Sequence, residues 1–341
     1  MTRPLPRTSA GVLLGLTLAV LAGGCGGTSG TGRSRASATA VSTHPAMTIA
    51  GTHASAQEVA DAAAQKPTGA GPRSELSPLP TSAFTRPLAR YRAYAGAQAD
   101  AMQGDVARLA AALRRGDRTA AQAAWLAAYD RYLRLGAAYG ALGALDDAID
   151  GTPGGLPGGV TDPHFSGLHR IEYGLWRGAP LATLVPWADR LARDVTRLRG
   201  VARTVAITPL EYATRAHEIL EDAQRDMLSG RAAPWSGAAV MATAASLAAT
   251  EEVIGTLRPL LDGRGDALGP VQVEMAQLAG VLAAVRRAHG GAWPPLTALR
   301  PDEHERLDGT LGALLEALAG IPGSLETTLP PTIPTIAQQA R

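Results

Sequence analysis

His169 and Glu172 stand three residues apart in the stretch Gly167-Leu168-His169-Arg170-Ile171-Glu172-Tyr173-Gly174-Leu175-Trp176. At about 3.6 residues per helical turn, that spacing puts an imidazole and a carboxylate on one face. Trp176 continues the face, while Arg170, Tyr173 and Arg177 point elsewhere. An imidazole nitrogen beside a carboxylate suits a borderline divalent metal, and further carboxylates shift the preference toward iron. The same spacing equally fits a His–Glu hydrogen-bonded pair on the rim of a helical core. Two other places offer similar chemistry. Asp189 falls in the first turn of a helix opening near Pro186, where it either complements the positive helix terminus or reaches a metal. In His217-Glu218-Ile219-Leu220-Glu221-Asp222 the metalloprotease pattern needs a second His four residues after the first; Glu221 stands there instead. His217 and Glu221 still share a face, as an exposed pair or as ligands.

The elements that must hold these groups read as helices throughout. Phe84 to Leu113, Arg118 to about Tyr139, Pro186 to Ala202, Pro234 to Leu261, Asp266 to His289 and Pro301 to Leu318 all carry apolar residues at helical spacing. Thr208-Pro209-Leu210-Glu211 is a capping box with proline at the first helical position, and its helix runs to Ser229-Gly230. Glu251 and Glu252 interrupt an apolar helix and read as a solvent-facing edge. Between helices, Asp150-Gly151-Thr152-Pro153-Gly154-Gly155-Leu156-Pro157-Gly158-Gly159 is too rich in Gly and Pro for helix or strand. Long loops of this kind in packed domains are often functional, and this one leads through His164, a surface residue, into the His169 segment. The tail after Pro322 is expected to fray.

Composition narrows the class. Hydrophobic residues make up 46% of the 341, but aromatics only 4%, so the core must be Ala, Leu and Val packed between close helices. A net charge of +2 with no basic stripe argues against nucleic-acid binding. No glycine-rich phosphate loop follows a strand, and there is no Gly-x-Ser-x-Gly elbow. The N-terminus reads as a secretory leader over residues 1–24: Arg3 and Arg7, an apolar run from Ala10 to Leu21, then Leu21-Ala22-Gly23-Gly24-Cys25. Cys25 is the only cysteine, so no intrachain disulfide and no Cys-based zinc site can form. Its position resembles a bacterial lipobox, with lipid on its sulfur, although Ala22 stands where Leu is usual. Residues 25–80 are Gly, Ser, Thr, Ala and Pro-rich, a flexible tether carrying His44 and His53. A helical domain is expected over 81–330 and a disordered tail over 331–341.

His169-x-x-Glu172 followed by Leu175-Trp176 resembles the His-x-x-Glu signature of the imelysin-like family, within it the EfeO/EfeM-type iron-uptake lipoproteins. Further matching segments are Leu145-Asp146-Asp147-Ala148-Ile149-Asp150, Pro186-Trp187-Ala188-Asp189-Arg190-Leu191 and Ile219-Leu220-Glu221-Asp222. The resemblance implies an all-α fold of two packed four-helix bundles. It also implies a lipid-anchored extracytoplasmic protein that binds iron, with zinc or copper as alternatives, and delivers it to an iron permease, a haem peroxidase being a further partner. By the same resemblance His169, Glu172, Asp189 and Glu221 are the metal ligands. The family's N-terminal cupredoxin is expected to be absent, as in its shorter members, since a blue-copper site needs a thiolate and Cys25 is at the lipidation position. Some relatives carry an upstream Glu where this chain reads Leu135-Gly136-Ala137-Ala138-Tyr139-Gly140, so either Asp147 or Asp150 substitutes or the site has one ligand fewer. Two alternatives remain: a metallopeptidase, as the family's name suggests, or a module binding an anionic polysaccharide through metal. If His169 is a ligand in an ordinary environment, metal binding weakens as pH falls through about 6.5.

Overall fold

Helix α1, Thr85–Arg114, buries Ala95, Ala99, Met102, Val106, Leu109 and Leu113, alternating steps of four and three that trace one face. It is the spine of the first bundle in the computed structural model, which describes residues 76–327. The leader, Cys25, the tether with His44 and His53, and the 331–341 tail lie outside the described residues, apart from the tether's last positions, 76–80. A one-turn link leads to α2, Arg118–Leu133, whose N-cap Asp117 accepts from the Ala120 N–H at 3.0 Å. The short α3, Ala144–Asp150, and α4, Gly167–Trp176, follow, then α5, Val185–Thr204. Helices α2, α1, α5 and α4 close a ring, each packed against the next.

The second bundle is α6, Pro209–Asp222; α7, Ala239–Leu261; α8, Leu268–Ala288; and α9, Pro301–Leu318. Its helices also pack in a ring, and α7 lies against α1 and α2 to join the two bundles. The fold is all-α: among the described residues the one β feature is an isolated bridge between Leu79 and Thr327. Contacts made by Ala95, Ala99, Ala121, Ala128, Ala188 and Ala202 let the first bundle's axes approach closely. Each fully buried Leu beside them contributes about 1.5–3 kcal/mol. Helix α8 is long and apolar enough to cross a membrane by length and composition, and here it forms one wall of the second bundle.

The expected capping box at the start of α6 is present: Thr208 Oγ1 accepts from Glu211 N at 3.3 Å, and Glu211 Oε2 accepts from Thr208 N at 2.7 Å. Two helix boundaries and the C-terminal stretch differ from expectation, and α6, expected to run to Ser229-Gly230, gives way to a π turn after Asp222. Helix α2 stops at Leu133, because Gly136 turns to φ 48° and the chain continues as a 3₁₀ turn, Gly136–Ala141. A Cβ at Gly136 would come within 2.8 Å of the Ala249 methyl and 2.9 Å of Ile219 Cδ1, so close packing with α6 and α7 imposes the break. Helix α7 starts at Ala239, leaving residues 234–238 as turns. Beyond Pro322 the chain stays docked as far as it is described: α10, Ile321–Ser324, buries Ile321, Leu325 is buried, and Leu79 N donates to Glu326 O at 2.8 Å.

Candidate functional site

Gly167 is what allows a site to form. It opens α4 at φ 75°, and any Cβ there would overlap the Ile149 carbonyl oxygen. This close approach brings the first turns of α4 against the last turn of α3, across the long Gly/Pro loop. Trp125 on α2 then donates its indole N–H to Leu168 O at 2.8 Å, and Arg118 donates to the carbonyls of Leu175 and Ala179, both at 2.6 Å. Helix α4 is thereby held at both ends.

His169, only 2% exposed, sits between two carboxylates. Its Nδ1 is 2.7 Å from Glu172 Oε2, and its Nε2 is 3.2 Å from Asp150 Oδ1. The second contact is an ion-pair distance without hydrogen-bond alignment, and Asp150 Oδ1 is a buried oxygen with no hydrogen-bond partner. Tyr129 stands edge-on to the imidazole at 5.4 Å, and Trp125 lies beyond it. Burial alone would push the imidazole pKa down. The charge of Asp150, its close approach to Nε2 and the hydrogen bond to Glu172 outweigh it and hold the group up at about 10. The imidazole is therefore a cation at neutral pH and must shed a proton before it can ligate a metal.

Glu172 is fully buried and saturated. Besides His169 it binds the Trp235 N–H at 3.1 Å, the Ser236 N–H at 2.8 Å and the Ser236 hydroxyl at 2.8 Å, all on Oε1. It fixes the orientation of the imidazole and tethers α4 to the turn preceding α7.

Nε2 faces a cavity of ≈ 450 Å³. His169, Asp146, Asp150 and Tyr129 line one side; Asp222, Arg225 and Asp226, from α6 and its continuation, and Arg231 just beyond it line the other. That continuation is a π turn, Ala223–Met227, a device that often marks functional positions. Asp146 accepts a hydrogen bond from Tyr132 Oη; burial, opposed by that bond and aided by Asp150 and Asp147, pushes its carboxyl up to about 6. Burial likewise raises Asp222, against the pull of Arg225. Among the described residues no three His, Cys, Asp or Glu side chains are already gathered tightly enough to hold an ion.

Of the four expected ligands, the structure joins His169 to Glu172 and leaves the other two elsewhere. Asp189 is half-exposed on α5 and pairs with Arg114 of α1. Glu221 points outward from α6 and meets His217 at 3.4 Å, a surface pair. Neither lines the cavity. Helical phase is the reason: α6 turns Asp222 toward the cavity and, through the π turn, Asp226 after it, which carries Glu221 away. Asp150, one of the two residues weighed as substitutes for the upstream Glu, is the one that reaches His169; Asp147 is not in the cavity lining. Asp222 and Asp226 were legible only as an acidic pair at four-residue spacing. His164 is exposed, as expected, as is Glu251, while Glu252 is half-buried.

With a helix-bundle fold built around a buried His-x-x-Glu pair, the chain belongs to the imelysin family (peptidase family M75), whose profile matches residues 87–320. It is similar to the iron uptake system component EfeO of Escherichia coli K12, of E. coli O157:H7 and of Shigella flexneri, in each case 24% identical over 239 residues. The match covers 70% of this chain and 63% of each relative, so the chain spans under two thirds of their length.

Proposed function

We propose that this chain is a non-enzymatic, extracytoplasmic iron-uptake component that binds iron in the cavity at His169 and hands it to a permease. In this reading it is held at the membrane by lipid on Cys25, and a haem peroxidase of the same system is a further partner. The observation that carries the site is the convergence of His169 Nε2 and Asp150 Oδ1, an ion pair whose carboxylate oxygen accepts no hydrogen bond, on one acidic cavity. A cation entering there replaces the proton on Nε2 and takes over the charge pairing with Asp150 Oδ1. Glu172 acts through the imidazole, holding Nδ1–H so that Nε2 faces the cargo, as outer carboxylates do for metal-bound histidines. Asp146, Asp222 and Asp226 supply further oxygens, the donors iron prefers. Asp189 and Glu221, the ligands implied by resemblance, enter only if α5 and α6 rearrange around the ion. The EfeO resemblance supports iron over zinc or copper.

Calorimetric titration of ferrous iron under argon into wild type and Asp150→Asn tests the site. The expected result is tight binding by the wild type, weakened about tenfold or more in the variant, and equal affinity would overturn it. Cys25→Ser is expected to release the protein from the membrane fraction. Incubation with casein, with and without zinc, is expected to leave the substrate intact; zinc-dependent cleavage would restore the peptidase reading.

A further inference from the structure

The two sides of the cavity are chemically unlike. On the α3/α4 side lie the imidazole and the Asp150 oxygen with no hydrogen-bond partner. On the π-turn side the carboxylates are already engaged by arginines. Arg225 binds Asp222 at 2.6 Å and Asp226 at 2.7 Å through Nη2, and Asp226 again at 3.0 Å through Nε. Arg231 Nη2 reaches Asp226 Oδ1 at 3.0 Å and the Arg225 carbonyl at 2.6 Å. Asp146 accepts from Tyr132. A bare trivalent ion placed here would find both Asp226 oxygens and one oxygen each of Asp146 and Asp222 already hydrogen-bonded, and a pair of guanidinium charges beside them.

The arginines are not exhausted by these bonds. A guanidinium carries five N–H donors in a planar fork that matches a carboxylate. Among the described residues Arg225 Nη1 and Arg231 Nε and Nη1 donate to nothing, and both side chains are about two thirds exposed, 61% and 64%, at the cavity wall. The volume, ≈ 450 Å³, lies in the range of small-molecule sites and far exceeds what a lone ion fills. We infer that the cargo enters as a small oxygen-donor polycarboxylate chelate of ferric iron: His169 and Asp150 address the metal while Arg225 and Arg231 bind the chelator's outward carboxylates. The inference rests on the proposed metal site at His169 and adds to it the class of molecule that carries the ion.

Ferric citrate, with radiolabelled iron and radiolabelled citrate, is the probe, and the full chain is separated from unbound label by rapid gel filtration. Both labels are expected to co-elute with the protein in constant ratio. The double variant Arg225→Gln, Arg231→Gln is expected to lose affinity for ferric citrate at least tenfold more than it loses affinity for bare ferrous iron. Single Arg231→Gln, which removes fewer internal ion pairs, guards against misfolding and is expected to show a smaller change of the same sign. Iron retained without citrate, or equal losses for chelate and bare ion, overturns the chelate inference and leaves the metal site standing. If His169→Ala and Asp150→Asn retain both probes like wild type, the metal site itself fails, and the chelate inference with it.

Discussion

Two histidine–carboxylate pairs, one on α4 and one on α6, begin from similar sequence and end in different chemistry. His169 and Glu172 are buried, 2.7 Å apart, with Glu172 gripped by the backbone and hydroxyl of the turn before α7. His217 and Glu221 are 3.4 Å apart at the surface, and the glutamate side chain is 51% exposed. In the first pair each charge has been taken from water and must be matched by protein groups; in the second, water does most of that work. Spacing along a helix makes such pairs possible, and the surroundings of that helix decide whether they can do anything.

The sharpest break of this comparison is Glu172→Ala. It strips four hydrogen bonds at once and leaves a buried imidazolium facing Asp150 alone, so it is expected to destabilise the fold by about 3–5 kcal/mol in chemical denaturation. A change under 1 kcal/mol would mean the carboxylate is dispensable for the architecture. His169→Ala comes next: by calorimetry it is expected to weaken iron binding about tenfold or more, at least about 1.4 kcal/mol, whereas His217→Ala leaves it unaltered. Equal loss in both variants would erase the distinction between the two pairs.

The third difference lies in pH. The folded-state pKa of His169, about 10, is above its unfolded value near 6.5. Its contribution to stability is therefore fully present below about pH 6.5 and is lost as pH rises through about 10. Relative to His169→Gln, wild-type stability is expected to decline across that window, as followed by melts at several pH values. Iron affinity should climb through the same range, because the proton must leave Nε2; a plateau just above pH 6.5 would return the residue to the behaviour of an ordinary exposed imidazole. The smallest effect expected is from Glu221→Ala, within about 0.5 kcal/mol by thermal melt, since exposed ion pairs contribute little.

The bundles were legible because their stripes are periodic: Ala188, Leu191, Val195, Leu198 and Ala202 could belong to nothing but a helix face. So was the His169–Glu172 contact, which lies within one helix turn. What could not be read was set by neighbours distant in sequence. Gly136 sits in an apolar run that looks continuous with α2, and its turn is dictated by Ile219 and Ala249. Asp150 reaches His169 only because the long Gly/Pro loop returns α4 to Ile149, an approach that hangs on Gly167. Asp226 enters the cavity through a π turn, a change of helical register with no signal in residue type. Asp189 and Glu221, assigned by family resemblance, pair with Arg114 and His217 outside the cavity lining, partners that a family pattern does not reveal.

The bridge between Leu79 and Thr327 has a mechanical meaning. The chain enters and leaves the helical domain at one seam, fastened by Leu79 N to Glu326 O and by Arg264, which grips Ser77 O and Ser324 O together. A pull applied at residue 76 is taken up at that clasp, which would open before load passed into α1 and the cavity beyond it. Load arriving at residue 76 can therefore be borne at the seam while the cavity at His169 keeps its shape.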